Sequence, residues 1–235
     1  MKFKYSKDRK LWINILFCVL SFLCLLLFSG IFELIIKSVI HNEYTSNILA
    51  NLITLALLYL MYKKDLDKEA KTFVKTFKTS FKRDLKYYAI GVLLMMFFNM
   101  VLVVVLNNIA ANETQVRELL FSHTLYALLY ISILAPIMEE IIFRKSLQPV
   151  IKNKWIYVIV CGVLFGLGHI LTNIFGGSFA LTDLFYILPY GSLGSSFALM
   201  DYEGKSTFNS IMIHAMHNTA TAILLLAFYM GGILG

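Results

Sequence analysis

The sequence predicts an all-α membrane protein, a polytopic helix bundle of about seven transmembrane helices with a cytosolic N-terminus. Three observations carry that prediction. The 235 residues are 59% hydrophobic and only 15% charged, with a mean hydropathy of +0.74, whereas a soluble domain is roughly half apolar and a quarter charged. The apolar residues gather in several runs of about 18 or more, the length a helix needs to cross a bilayer. The basic residues fall almost wholly into alternate gaps between those runs, as the positive-inside rule demands of one membrane face.

Helices are expected near 11–36, 47–62, 87–109, 119–151, 155–172, 181–200 and 207–231. The first follows Lys2, Lys4, Lys7, Arg9 and Lys10. Its apolar part exceeds a signal-peptide core and no A-x-A site ends it, so it reads as an uncleaved helix. With the N-terminus inside, 19 of the 21 Lys and Arg residues lie on cytosolic segments and only Lys37 and Arg117 lie outside. The C-terminus then falls outside.

The connection 63–86 spaces Leu66, Ala70, Phe73, Val74, Phe77 and Phe81 at helical intervals, with Lys68, Lys71, Lys75, Lys78 and Lys82 between them. That is the pattern of an amphipathic helix on the inner leaflet. Its role is read as fixing topology, ahead of forming a platform for lipid or substrate. Residues 1–118 thus supply membrane helices and this basic segment, and residues 119–235 a helical core; the two form one membrane domain.

The net charge of +7 does not imply a nucleic-acid partner, because the basic residues form no base-reading motif. Cys18, Cys24 and Cys161 are odd in number, sit in apolar runs and lack CxxC spacing, which excludes a disulfide framework or a thiolate metal site.

Ionisable groups inside a bilayer are costly, so those within the spans are the candidates for function. Glu33, His123 and Asp183 lie near helix ends and read as snorkelling or capping residues. In the run from Pro136 to Arg144, Glu140 and Arg144 are spaced i,i+4 with the acid first, the favourable order for an ion pair. Glu139 lies about 100° round the helix and has no local partner, which leaves it available as a base. Pro136 cannot donate to the carbonyl of Ser132, and a kink there would open a pocket just before the acids.

Gly162, Phe165, Gly166 and His169 share one helical face, where small residues admit a neighbouring helix. On the last span His214 and Asn218 are i,i+4, with His217 beside both. Counted from Lys152, Lys154 and Lys205, the residues Glu139, His169 and Asn218 each lie about 20 Å in at 1.5 Å per residue, so they converge near mid-membrane. That register extends the fourth helix past Arg144 toward Pro149.

A carboxylate and a histidine polarise water, while a second histidine and an amide donate to the oxyanion formed when water attacks a carbonyl. The chemistry indicated is peptide-bond hydrolysis within the membrane. Glu139, His169 and His214 equally make a three-ligand zinc site with an open position, and spacing alone leaves both mechanisms open.

The motifs E-E-x-x-x-R at Glu139 to Arg144, F-x-x-x-H at Phe165 to His169 and H-x-x-x-N at His214 to Asn218 stand in that order on successive helices. The sequence from about residue 119 to 225 thereby resembles the CAAX protease and bacteriocin-processing (CPBP, Abi) family of intramembrane proteases. The resemblance implies that Glu139 and His169 activate the water and that His214 and Asn218 form the oxyanion site. Glu140, Arg144 and Phe165 are then supporting residues. It favours a glutamate-dependent, metal-free reaction with no cofactor, zinc ranking second, and leaves His217 unassigned.

The implied partners are the bilayer and a membrane-associated peptide or protein substrate, expected to arrive from the cytosolic side. The 17 Lys against 4 Arg suggest a bacterial plasma-membrane protein engaged in peptide maturation, bacteriocin immunity or surface-protein processing. The alternative is a non-catalytic immunity or regulatory protein that binds a partner. A proton-coupled carrier ranks third, since no internal repeat with paired broken helices is visible.

Overall fold

The computed structural model describes residues 5–106, 111–175, 177 and 179–232. Lys2, Lys4, the end of the span expected to 109 and the C-terminal Gly235 lie outside the described residues. Within them the chain is all-α: α1 Leu11–Lys37, α2 Glu43–Leu106, α3 Ala111–Ser122, α4 Thr124–Lys145, α5 Lys154–Phe175, α6 Ile187–Gly204 and α7 Thr207–Met230. Five of these, α1, α2, α4, α5 and α7, are long and apolar enough to cross a membrane, and the chain is an all-α polytopic membrane bundle.

Two expected spans and the basic segment between them merge into α2, which is 64 residues long. A straight helix of that length would extend about 96 Å at 1.5 Å per residue. The contacts show instead three legs. Along the first, Asn47 bonds Tyr126 while Glu69 pairs with Lys145, so this leg runs parallel to α4. Along the third, Asp84 accepts from Asn209, Tyr88 bonds His217 and Leu102 packs on Ile170 and Tyr186, so this leg runs back up the bundle. The middle leg turns the helix round, with Phe73 against Phe208 and Phe81 against the buried cluster of Phe143, Phe197 and Ile213. The amphipathic pattern is therefore realised as helix: Leu66 is buried, and Lys68, Lys71, Lys75, Lys78 and Lys82 are exposed.

The fourth span is shorter than the expected 119–151. His123, at φ −139° and ψ 56°, leaves helical geometry and splits off α3, and after Lys145 the chain passes into turns rather than continuing helically to Pro149. Glu139 consequently stands six residues, about 9 Å, from the end of its helix, not the deeper position inferred from Lys152. The sixth helix begins at Ile187 after a 3-10 turn, Leu181–Tyr186, and extends to Gly204. Asp183 caps that turn by accepting from the Ala180 N–H at 3.0 Å, as its reading as a helix-start residue requires. Glu33 is not simply snorkelling, since it accepts from Asn47 Nδ2 at 2.7 Å.

The small residues on α5 bring α6 into backbone contact, as their shared face predicted. A Cβ on Gly166 would fall 2.8 Å from the Ile187 carbonyl oxygen, closer than real Cβ atoms pack. Without a hydrophobic drive between helices in lipid, such close packing is what holds them together.

On the side where α4 ends and α7 begins, the bundle is sealed by a polar floor. Lys145 pairs with Glu69, whose other oxygen accepts from the Thr207 N–H at 3.1 Å. Asp201 accepts from Tyr157 at 2.6 Å and Thr207 at 2.8 Å, and Asp84 accepts from Asn209 Nδ2 at 2.5 Å. Lys145, Asp201, Thr207, Asn209 and Asp84 are all essentially buried. Buried charges persist only where paired or hydrogen-bonded, and here each is tied to a different helix, which locks the first and third legs of α2 against α4 and α7, and α6 against α5 and α7.

Candidate active site

Pro136 shapes α4 at the site. A π-helical turn, Tyr130–Leu134, precedes it, in which the Ala135 N–H bonds back to Tyr130. In that register the carbonyl of Ile131 would next receive a bond from residue 136, and proline has no N–H to give. Asn218 on α7 fills the gap, its Nδ2 donating to the Ile131 oxygen at 2.9 Å. The expected opening before the acids is present: Tyr130, Ile131 and Ala135 line a cavity of about 350 Å³ that reaches Glu139.

Beneath that cavity Glu140 and Arg144 form the anticipated pair, both at 0% side-chain exposure. Arg144 Nη1 lies 2.9 Å from Glu140 Oε1, an ion pair by distance, although its angle falls short of a hydrogen bond. The directed bond of the guanidinium is Nη2–H to the Gly194 carbonyl at 3.0 Å, and its carbon sits 4.5 Å from the Phe165 ring centre. Phe165 thus supports the site by covering Arg144. A Cβ on Gly194 would lie 2.8 Å from that of Phe165, so only glycine admits this approach.

Glu140 also holds His214, whose Nδ1 lies 2.9 Å from Glu140 Oε1. The ionised carboxylate accepts, so Nδ1 carries the proton and Nε2 faces Glu139, 3.8 Å from its Oε2. His169 is oriented the same way. Its Nδ1 donates to the Phe165 carbonyl at 2.8 Å and its ring stacks on Tyr190 at 4.2 Å, which leaves Nε2 as the acceptor of the neutral ring. Glu139 Oε2 is buried and has no hydrogen-bond partner among the described residues.

Glu139, His169, His214 and Asn218 therefore come from three helices to the lining of one cavity. Glu140 and Arg144 lie directly behind them. The sequence left His217 without a role; it lines the cavity and bonds Tyr88 across to α2 at 3.1 Å. Tyr130, Tyr190, Asn99 and Glu113 line it too and escaped the sequence reading. Aromatic and amide side chains are ordinary in membrane helices, and Asn99 and Glu113 lie before the motifs. The one legible signal was the aromatic and glycine run around Tyr190.

Both histidines keep Nδ1–H on an oxygen acceptor, the orientation that metal-binding imidazoles use. Among the described residues, however, no three His, Cys, Asp or Glu side chains are placed to hold one metal ion.

Comparison with known proteins bears out the family resemblance. Residues 121–220, which contain all three motifs, match the family described as type II CAAX prenyl endopeptidase Rce1-like. The chain is 31% identical over 96 residues to a protein of Bacillus subtilis (strain 168) named "Putative membrane peptidase YdiL". That match covers 40% of this chain, which spans about a third (34%) of the length of that relative. No solved structure matches.

Proposed function

On the strength of the family match over residues 121–220, we propose that this chain is an intramembrane endopeptidase of the CAAX type. It hydrolyses a membrane-associated peptide or protein, in a bacterial plasma membrane, in peptide maturation, bacteriocin immunity or surface-protein processing. The observation that carries the reading is the Glu139 carboxylate in the cavity, whose Oε2 has no hydrogen-bond partner among the described residues and lies 3.8 Å from His214 Nε2.

In this reading Glu139 takes the proton of the attacking water, and His169, held by the Phe165 carbonyl, orients that water through Nε2. Asn218 spends one N–H on Ile131 and has a second to offer the oxyanion. His214 adds a donor when its ring carries both protons. Glu140 and Arg144 touch no substrate; they position His214 and neutralise one another.

A zinc mechanism is the second reading, favoured by the two Nε2 lone pairs, and Asn218 separates the two. An amide is a poor zinc ligand and a good oxyanion donor, and loss of one such donor typically costs about 10²–10³ in turnover. Asn218→Ala, assayed at equal amounts of folded protein, should fall by that factor with metal content unchanged, and 1,10-phenanthroline should inhibit poorly. Stoichiometric zinc that disappears in His169→Ala, together with an active Asn218→Ala, would establish the zinc site instead.

A further inference from the structure

The cavity has a direction. Its closed end is formed by Phe165, Leu193 and His214, each at most 4% exposed. Behind these lie the Glu140–Arg144 pair and then the polar floor of Lys145, Glu69, Asp201 and Thr207. The Asp84–Asn209 and Tyr88–His217 bonds close the seam between α2 and α7 on the same side. In the other direction the lining climbs α7 from His214 through Asn218 and Thr221 to Leu225, and Thr221 is exposed. At this end α3 contributes Glu113 and Val116, with Glu113 paired to Arg117 at 2.5 Å.

The basic residues mark the opposite face. The lysines of the middle leg of α2, Lys152, Lys154 and Lys205 all sit on the side of the polar floor, whereas among the described residues only Lys37 and Arg117 are basic on the side of the opening. Among the described residues 17 of 19 basic side chains are on the floor side, and the positive-inside rule then puts the floor on the cytosolic side and the mouth of the cavity outside. Access from the cytosolic side, expected from the sequence, would have to pass two buried charged layers.

Resting on the peptidase reading, we infer that the substrate enters from the non-cytosolic face. It is an extended segment of an exported or outer-leaflet-tethered polypeptide rather than a cytosolic precursor. The eleven residues from His214 to Leu225 span about 16 Å of helix, room for about five residues of extended chain at about 3.3 Å each. The scissile carbonyl would sit at the Glu139 end, and the remainder of the segment would leave past Val116 and the Glu113–Arg117 pair.

The test is the side from which the mouth is reached by a membrane-impermeant maleimide, in intact and in permeabilised cells. Val116→Cys probes the mouth and Lys75→Cys, exposed on the basic leg, probes the floor side. The expected result is labelling of Val116→Cys in intact cells and of Lys75→Cys only after permeabilisation. Any other pattern, including a Val116→Cys that never reacts, overturns the outward opening. Labelling does not depend on turnover. Loss of the peptidase reading with the expected labelling would therefore leave the entry side standing.

Discussion

Glu139→Gln is expected to abolish cleavage while leaving the amount of folded protein unchanged. The amide keeps the size and polarity of the side chain and removes the base, a contribution typically worth about 10²–10⁴ in rate. The change breaks no hydrogen bond to Oε2, which has no such partner among the described residues, and the side chain is 24% exposed. Turnover by purified protein in detergent, set beside its thermal unfolding, separates the two effects. A Glu139→Gln that cleaves at the wild-type rate would remove Glu139 from the chemistry.

Arg144→Ala should fail differently, by loss of the protein itself. It strips the cation from Glu140 in a site with no solvent exposure and removes the guanidinium's hydrogen bond to the Gly194 carbonyl. Breaking a buried pair by deleting one partner typically costs about 3–5 kcal/mol, a large share of the roughly 5–15 kcal/mol that stabilises a folded protein. Accumulation in membranes and the unfolding midpoint in detergent should both fall, and activity with them. Arg144→Lys should recover part of the midpoint, because an ammonium restores the charge without the planar fork that bonds Gly194 and stacks on Phe165. Normal accumulation of Arg144→Ala would show that the pair is not structural.

These two results draw on different parts of what the sequence disclosed. The i,i+4 order of Glu140 and Arg144 fixed their pairing, because both residues sit on one helix and helical geometry alone brings them together. The meeting of Glu139, His169, His214 and Asn218 at one cavity was also legible, since ionisable groups at similar depths in lipid have few partners but one another.

What could not be read locally was the floor. Asp84, Asp201 and Asn209 are single polar residues in unremarkable contexts, and only the reversal of α2 brings Asp84 to Asn209. All 64 residues of α2 remain helical and no proline or glycine lies on its middle leg, so nothing local announces the reversal. The depth of Glu139 was misjudged for a related reason. Distance to the next basic residue in sequence is not distance to the helix end, and here the helix stops at Lys145, itself buried on Glu69.

The role of Asn218 shows the same limit from the other side. Its place in a motif suggested an oxyanion donor, but the bond to Ile131 follows from a π-turn set off by Pro136, on another helix. A proline that deprives a carbonyl of its donor creates a demand that any neighbouring amide can meet. Pattern alone does not say which.

This cavity is expected to hydrolyse peptide bonds through Glu139. That expectation is tested most directly by mass spectrometry of new peptide termini in cells carrying the wild type or Glu139→Gln at matched protein levels. The expected result is a defined set of termini present with the wild type and missing with Glu139→Gln, mapping to segments outside the cytosol. Identical termini in both strains, with Glu139→Gln retaining the wild-type phenotype, would contradict it and leave a helix bundle that acts by binding alone.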